Sequence, residues 1–167
     1  MRPATVTLGD RTFTFRRAEE QDVAALAALL ADDAIGAGRE DASDLAPYLR
    51  AFHAVDGDPR HLLVVAEDHH AAIAATLQLS LLPGLSRRGA LRAQIEGVRV
   101  AAAFRGAALG STLVRWAVNE ARARGAGLVQ LTTDLRRDDA RRFYERLGFV
   151  GSHLGMKVDL RADPSVS

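Results

Sequence analysis

Phe104 to Ala121 reads FRGAALGSTLVRWAVNEA: an arginine and two glycines at the threshold of a helix. Leu109, Leu113, Trp116 and Ala117 recur at helical spacing and line one face. The turn before them has two readings. A helix N-terminus exposes unpaired N–H groups and partial positive charge, and so can hold phosphate. Glycine lets the backbone approach an anion closely, and Arg105 adds a permanent charge. Equally, Gly106 and Gly110 could only shape a turn and let helix and sheet pack. No Gly-Lys-Ser or Gly-Lys-Thr follows, and the last glycine of GxGxxG is missing, so neither nucleotide fingerprint applies. The flanking segments have to decide.

Upstream lies AQIEGVRV, Ala93 to Val100, a strand with an internal glycine that predicts a bulge or a close backbone approach. Downstream, Gly125 and Gly127 end the helix and LVQLTT, Leu128 to Thr133, reads as a short strand. Asp138 is placed to cap DARRFYERL, which Gly148 ends. FVGSHLGMKVDL, Phe149 to Leu160, predicts two final strands around Gly155, and the closing ADPSVS reads as a frayed tail.

Further out, Thr12 to Arg17, TFTFRR, alternates as a strand. In AEEQDVAALAALLADDA, Val23, Leu26, Leu29 and Leu30 share a helix face, with Gly36 and Gly38 as the stop. Ser43 is placed to cap DLAPYLRAFHAV, which Asp56-Gly57-Asp58-Pro59 ends. LLVVAED and AAIAATLQLSLL read as two strands joined tightly at Asp68-His69-His70. Residues 83–89 form a loop by their breakers. Strands mixed with crossover helices imply an α/β sheet with helices on both faces.

The chain has 167 residues, enough for one domain with its own core. Lys plus Arg total 22 and Asp plus Glu 21, a net charge of +1, which argues against a general nucleic-acid binder. With no cysteine there is no disulfide, thiolate zinc site or cysteine nucleophile. The N-terminus has no signal-peptide run, and no stretch approaches the roughly 20 apolar residues of a membrane span. The expectation is a cytoplasmic protein without membrane partners. The two adjacent histidines His69 and His70 are expected to project apart and to bind no metal.

The series IEGVRV, FRGAALG, LVQLTT and RRFYERLGF, in that order, resembles the GNAT acyl-CoA N-acyltransferase superfamily. The family's pyrophosphate loop stands here as Arg105-Gly106-Ala107-Ala108-Leu109-Gly110, with Ala108 where glycine is usual. Its closing motif stands intact as Phe143-Tyr144-Glu145-Arg146-Leu147-Gly148-Phe149. Arg137 stands where the family often has an asparagine, so that contact is not carried over. The likeness runs from FRRAEEQDVAAL through GFVGSHLGMKVDL. It implies a single domain over residues 1–167, with a mixed sheet of about six to seven strands and about four helices. The sheet would splay between its fourth and fifth strands, counted from TFTFRR, to admit the cofactor.

The resemblance also assigns roles. Acetyl-CoA is the cosubstrate and no metal is implied. Arg105, Gly106, Ala107, Ala108, Leu109, Gly110 and Ser111 would bind the cofactor, its pyrophosphate held mainly by backbone N–H groups from Gly106 to Gly110. If Gly97 marks a bulge, Val98, Arg99 and Val100 would free main-chain groups for the pantetheine arm. Aminolysis of a thioester needs a base for the amine, an acid for the thiolate and a donor for the carbonyl oxygen. Tyr144 is the candidate acid, since a phenol of pKa about 10 suits a thiolate; the competing reading is a core aromatic beside Phe143. Glu96 is the candidate base, directly or through water; the competing reading is an ion pair with Arg92 or Arg99. The N–H of Val98 is the candidate for polarising the carbonyl.

His153 is a rival base, or a turn residue without a role. Thr132, Thr133 and His153 are candidate acceptor contacts. Arg136, Arg137, Arg141 and Arg142 read as a solvated basic face, one of which could reach the cofactor's 3′-phosphate. The acceptor would lie among residues 35–44, 82–92 and 152–156, where Asp32, Asp33, Glu40, Asp41 and Asp44 would suit a cation or simply solvate a helix end.

The leading function is acetyl transfer to a primary amine, on a small molecule or a protein, by direct attack in a ternary complex. Two other classes stand beside it: an acyl-CoA-binding regulatory module without catalysis, and an interaction module with no cofactor. Dimerisation is usual in the family, though no residue here requires it.

Overall fold

The computed structural model describes residues 1–32, 38 and 40–160. The chain divides into two compact units, Met1–Leu131 and Thr132–Ser167, taken here in turn. Asp33, Gly36, most of the segment 33–39 and the ADPSVS tail lie outside the described residues.

The first unit is built on six strands in sequential order. They are β1 (Ala4–Leu8), β2 (Arg11–Arg17), β3 (His61–Asp68), β4 (Ile73–Leu82), β5 (Arg92–Val100) and β6 (Leu128–Gln130). Neighbours pair antiparallel except β5 and β6, which are parallel. The helices are α1 (Val23–Ala31), α2 (Ala46–Asp56), the single turn α3 (Ser86–Gly89) and α4 (Leu109–Ala123). This is the mixed α/β sheet the sequence predicts, with six strands.

Register sorts the side chains onto two faces. Phe15 pairs with Ala66, Ala66 with Ala75, and Leu79 with Ile95, so these share a face. Helix α4 covers it with buried Leu109, Leu113, Val114, Ala117 and Ala121. Trp116 meets the Phe15 ring edge-on at 6.1 Å. On the other face Ala18, Val23, Leu26, Phe52 and Val65 form a second apolar cluster under α1 and α2. Fully burying each large side chain of these layers stabilises the fold by roughly 1.5–3 kcal/mol.

One polar clamp ties these layers together. Arg16 on β2 donates to both carboxylate oxygens of Asp22, at 2.6 and 2.9 Å, and to Glu67 on β3 at 2.7 Å. Asp22 is buried and also accepts from the N–H of Glu19 at 2.8 Å. Burial alone would raise its pKa; the Arg16 hydrogen bonds and the Glu19 N–H outweigh that and hold it below 3.8.

Several expectations need correction. Strand β1 was not expected, although Ala4, Val6 and Leu8 alternate with Thr5 and Thr7 as a strand with one wet face does. It joins β2 through a hairpin at Gly9, where φ is +62°. Strand β6 stops at Gln130 instead of running to Thr133. Ser43 does not cap α2: Asp44 Oδ1 accepts from the N–H of Ala46 at 3.0 Å, and Ser43 turns to Asp41. The His69 and His70 rings do not project apart but lie 3.7 Å centroid to centroid. Among the described residues no group of three or more His, Cys, Asp or Glu could hold a metal, and no helix is long and apolar enough to cross a membrane.

Among its described residues the second unit contains one helix, α5 (Asp138–Arg146). Asp138 is its first residue and not its cap, for the cap position is Arg137. Gly148, at φ +89°, closes it, with N–H bonds from Gly148 to Glu145 O (3.0 Å) and from Phe149 to Tyr144 O (3.1 Å). The two strands expected over 149–160 are absent: no described residue there is in a strand. A strand needs a neighbour to satisfy its backbone, and this unit contains no other described strand.

Candidate active site: a forked sheet and a helix N-terminus

The site grows from β5. On one side β5 pairs with β4 along its whole length, from Arg92↔Leu82 to Val100↔Ala75. On the other it pairs with β6 at only Arg92↔Leu128, Ala93↔Val129 and Gln94↔Gln130. Strand β6 ends at Gln130, so the pairing of β5 with β6 stops at Gln94 and the sheet is open beyond it, between the strands where the sequence predicts the splay. Residues 95–100 then have no described strand on that side and present an edge of main-chain groups.

The expected bulge is present. Gln78 faces Glu96 and Thr76 faces Arg99, so Leu77 alone opposes both Gly97 and Val98. Gly97 has φ +61°, with open space where a Cβ would stand. Glycine is required there by backbone conformation and not by crowding. Val98, Arg99 and Val100 follow the bulge on the open edge, and Arg99 Nη1 donates to Val98 O at 2.9 Å.

Strand β5 runs straight into the loop. The Ala101 N–H bonds Ala74 O at 2.9 Å, and a 3₁₀ turn spans Ala102–Phe104. Phe104 is pinned edge-on to Phe13 at 5.8 Å, and Arg11 lies 5.5 Å from its ring. Arg105 Nε donates to Val100 O at 3.0 Å, and its Nη2 meets the Asp32 carboxylate at 3.2 Å. Gly106 has φ +81°. Ala108, the residue standing for the usual glycine, is also left-handed, at φ 58° and ψ 2°, and starts α4.

That helix start suits an anion. No side chain caps it, and its first turn holds no acidic residue. Ala108 O is occupied instead, accepting from Thr112 N–H (3.0 Å), Ser111 Oγ (2.8 Å) and Thr112 Oγ1 (3.0 Å). The N–H groups from Ala107 through Ser111 are therefore offered without a side-chain competitor, with partial positive charge behind them.

Glu96 is exposed on the face opposite α4. Gln94 Nε2 donates to its Oε1 at 2.8 Å, and Gln130 Nε2 donates to Gln94 Oε1 at 3.0 Å. The ion pair to Arg92 or Arg99 is not formed among the described residues; the Gln94 carboxamide holds this carboxylate instead. The same face continues in register through Ser80, paired with Gln94, to His61, whose Nδ1 lies 2.8 Å from Ser80 Oγ. Gln94 and Gln130 escaped sequence reasoning. The signal was available: Gln94 and Glu96 are two apart on a strand, so they share a face.

The acidic residues near α1 and α2 are largely engaged. Asp32 meets Arg105, Glu40 accepts from Tyr48 Oη at 2.7 Å, and Asp41 accepts from Ser43.

In the second unit Tyr144 is half-buried on α5, edge-on to Phe143 at 5.0 Å and to Phe149 at 5.8 Å. Thr132 and Thr133 open the unit outside any strand. The methyl carbon of Thr132 lies 3.8 Å from where a Cβ on Gly155 would stand. His153 is exposed and its Nδ1 lies 2.8 Å from Ser152 Oγ. The basic residues Arg136, Arg141 and Arg142 pair with Asp134, Asp138 with Glu145, and Asp139.

A mixed α/β sheet, open beside a bulged strand that leads directly into an uncapped helix start, defines the class of fold. Residues 18–149 match the model of the Acetyltransferase (GNAT) family, and the chain belongs to that family. It is similar to the transcriptional regulator of Bacillus halodurans C-125: TM-score 0.84 and 44% identity, over 88% of this chain and 99% of that one. A Trypanosoma brucei acetyltransferase superposes with TM-score 0.69 at 26% identity, over 89% of this chain and 99% of that one. The aminoalkylphosphonate N-acetyltransferase of Salmonella typhimurium (strain LT2) is 45% identical over 60 residues, 36% of this chain and 39% of that protein. The alignment thus spans well under half of that relative.

Proposed function

We propose that the protein transfers the acetyl group of acetyl-CoA to a primary amine, by direct attack in a ternary complex. The observation that carries the reading is the fork at Gln94, which leaves the bulged edge of β5 leading into the uncapped start of α4. An extended cosubstrate with peptide-like amides and a pyrophosphate matches that edge and that helix start. The family match across residues 18–149 spans both compact units and supports one domain.

In this reading Val98, Arg99 and Val100 bind the pantetheine arm. Residues Arg105 to Ser111, with Ala108 among them, receive the pyrophosphate. The amine nitrogen attacks the thioester carbon while the N–H of Val98 supports the carbonyl oxygen. Glu96, through water, takes the proton lost by the nitrogen. The C–S bond breaks, and Tyr144 gives its proton to the departing thiolate. The acceptor is an amine on a small molecule or a protein, and Thr132, Thr133 and His153 are proposed contacts. The N-acetyltransferase named among the relatives supports an amine acceptor, and the net charge of +1 favours no polyanionic partner.

The test is thiol release by purified protein given acetyl-CoA and a panel of amines, with Glu96→Gln beside the wild type. A base worth its usual share of catalysis predicts a loss of roughly 10²–10⁴-fold in kcat. Equal turnover by Glu96→Gln would remove Glu96 from the reaction.

A second reading is an acyl-CoA-binding regulatory module. Its support is the relative described as a transcriptional regulator and the left-handed Ala108 in the loop. Thermal stabilisation by coenzyme A with no turnover on any amine would favour it.

A further inference from the structure

Gln94 and Gln130 form the last pair that joins β5 to β6. Their side chains join as well, Gln130 Nε2 to Gln94 Oε1 at 3.0 Å. On its other side Gln94 reaches Glu96 at 2.8 Å. A carboxylate can only accept, so the Gln94 atom facing it must be its amide nitrogen. The Gln94 oxygen then points to Gln130, which must donate. The direction is fixed as Gln130 to Gln94 to Glu96.

Neighbouring polar groups do not compete for this chain. Gln78 stands directly across from Glu96 on β4, yet its amide nitrogen goes to Ser80 Oγ at 3.2 Å. Ser80 in turn meets His61. Glu96 itself is exposed and sits beside the glycine of the bulge, so packing holds it little. A free glutamate gives up side-chain entropy when it is fixed. Gln94 fixes it in the resting fold, occupying Oε1 and leaving Oε2 to take a proton.

We propose that Gln94 is a positioning residue for the base, braced by Gln130 at the fork of the sheet. The same pair that ends β5–β6 pairing thereby sets the orientation of Glu96. This rests on Glu96 acting as the base.

The experiment compares Gln94→Leu, Gln130→Leu and Glu96→Gln, and each glutamine variant again in the Glu96→Gln background. Thermal unfolding of each protein serves as the folding control. The expected result is a fall in kcat of about tenfold for Gln94→Leu and a smaller fall for Gln130→Leu. KM for acetyl-CoA stays within about twofold, since misplacing the base leaves cosubstrate binding alone. In the Glu96→Gln background neither glutamine variant lowers kcat further, because the group they position is gone. The positioning role is overturned if Gln94→Leu keeps wild-type kcat, or if its loss is undiminished in the Glu96→Gln background. If Glu96→Gln turns over at the wild-type rate, the base assignment fails first and takes this role with it. Should Gln94→Leu fail to fold, Gln130→Leu carries the same comparison.

Discussion

Arg105 Nε donates to the main-chain oxygen of Val100 across 3.0 Å, tying the loop before α4 back to the end of the bulged strand. The same guanidinium reaches Asp32 at the end of α1. One arginine thus sets the loop's height above β5 as well as its charge.

Removing it should therefore hurt binding twice, by charge and by placement. Arg105→Ala is expected to weaken coenzyme A binding about tenfold, and Arg105→Lys to recover only part of this, because an ammonium cannot reproduce the planar fork. Calorimetric titration at two salt concentrations checks it. A lysine variant that binds as the wild type would reduce Arg105 to a point charge.

Ala108 holds a left-handed conformation, φ 58°, that costs an L-residue roughly 1–2 kcal/mol. Ala108→Gly relieves this but loosens the unfolded chain, which offsets part of the gain. A net stabilisation of about 0.5–1 kcal/mol is expected, about 1–4 °C in thermal midpoint for a chain of this size. Coenzyme A affinity should be unchanged or higher. A glycine variant that melts lower would show that the turn does not strain alanine.

Tyr144 lies edge-on to two phenylalanines, so Tyr144→Phe keeps the ring contacts and removes only the hydroxyl. Loss of a general acid predicts a fall in kcat of about 10²-fold or more with the thermal midpoint preserved. Stopped-flow thiol detection and a melting curve are sufficient. Full turnover by the phenylalanine variant would leave Tyr144 a packing residue.

The Arg16–Asp22 clamp should contribute to acid sensitivity. Asp22→Asn leaves a nearly buried guanidinium partly unpaired and is expected to destabilise by about 2–4 kcal/mol in urea titrations. Its pKa in the fold lies below the ordinary 3.8, so its contribution is complete above that value. It is lost as pH falls through the lower, folded-state value. The stability gap between wild type and Asp22→Asn should narrow below that point. A gap that stays constant through acid would rule out the linkage.

Much of this was legible in the residues, for identifiable reasons. The glycine inside IEGVRV announced the bulge because few other residues accept φ +61° there. Helix α4 was legible because Leu109, Leu113 and Ala117 keep a helical period against a sheet. Strand β1 was passed over although Ala4, Val6 and Leu8 alternate with Thr5 and Thr7, because five residues make a short signal. The segment 149–160 misled in the opposite direction. Leu154, Met156 and Val158 alternate like a strand, but alternation states a preference and pairing supplies the strand. The link from Gln94 to Glu96 needed coordinates, because two-residue spacing says which face a side chain takes and not what it grips.

Three residue pairs are all that fasten β6 to the sheet. Backbone protection follows the number of bonds that must open together, so the amides of Leu128, Val129 and Gln130 should exchange with deuterium well before those of β3 and β4. The strand that begins the fork is also the loosest seam of the sheet.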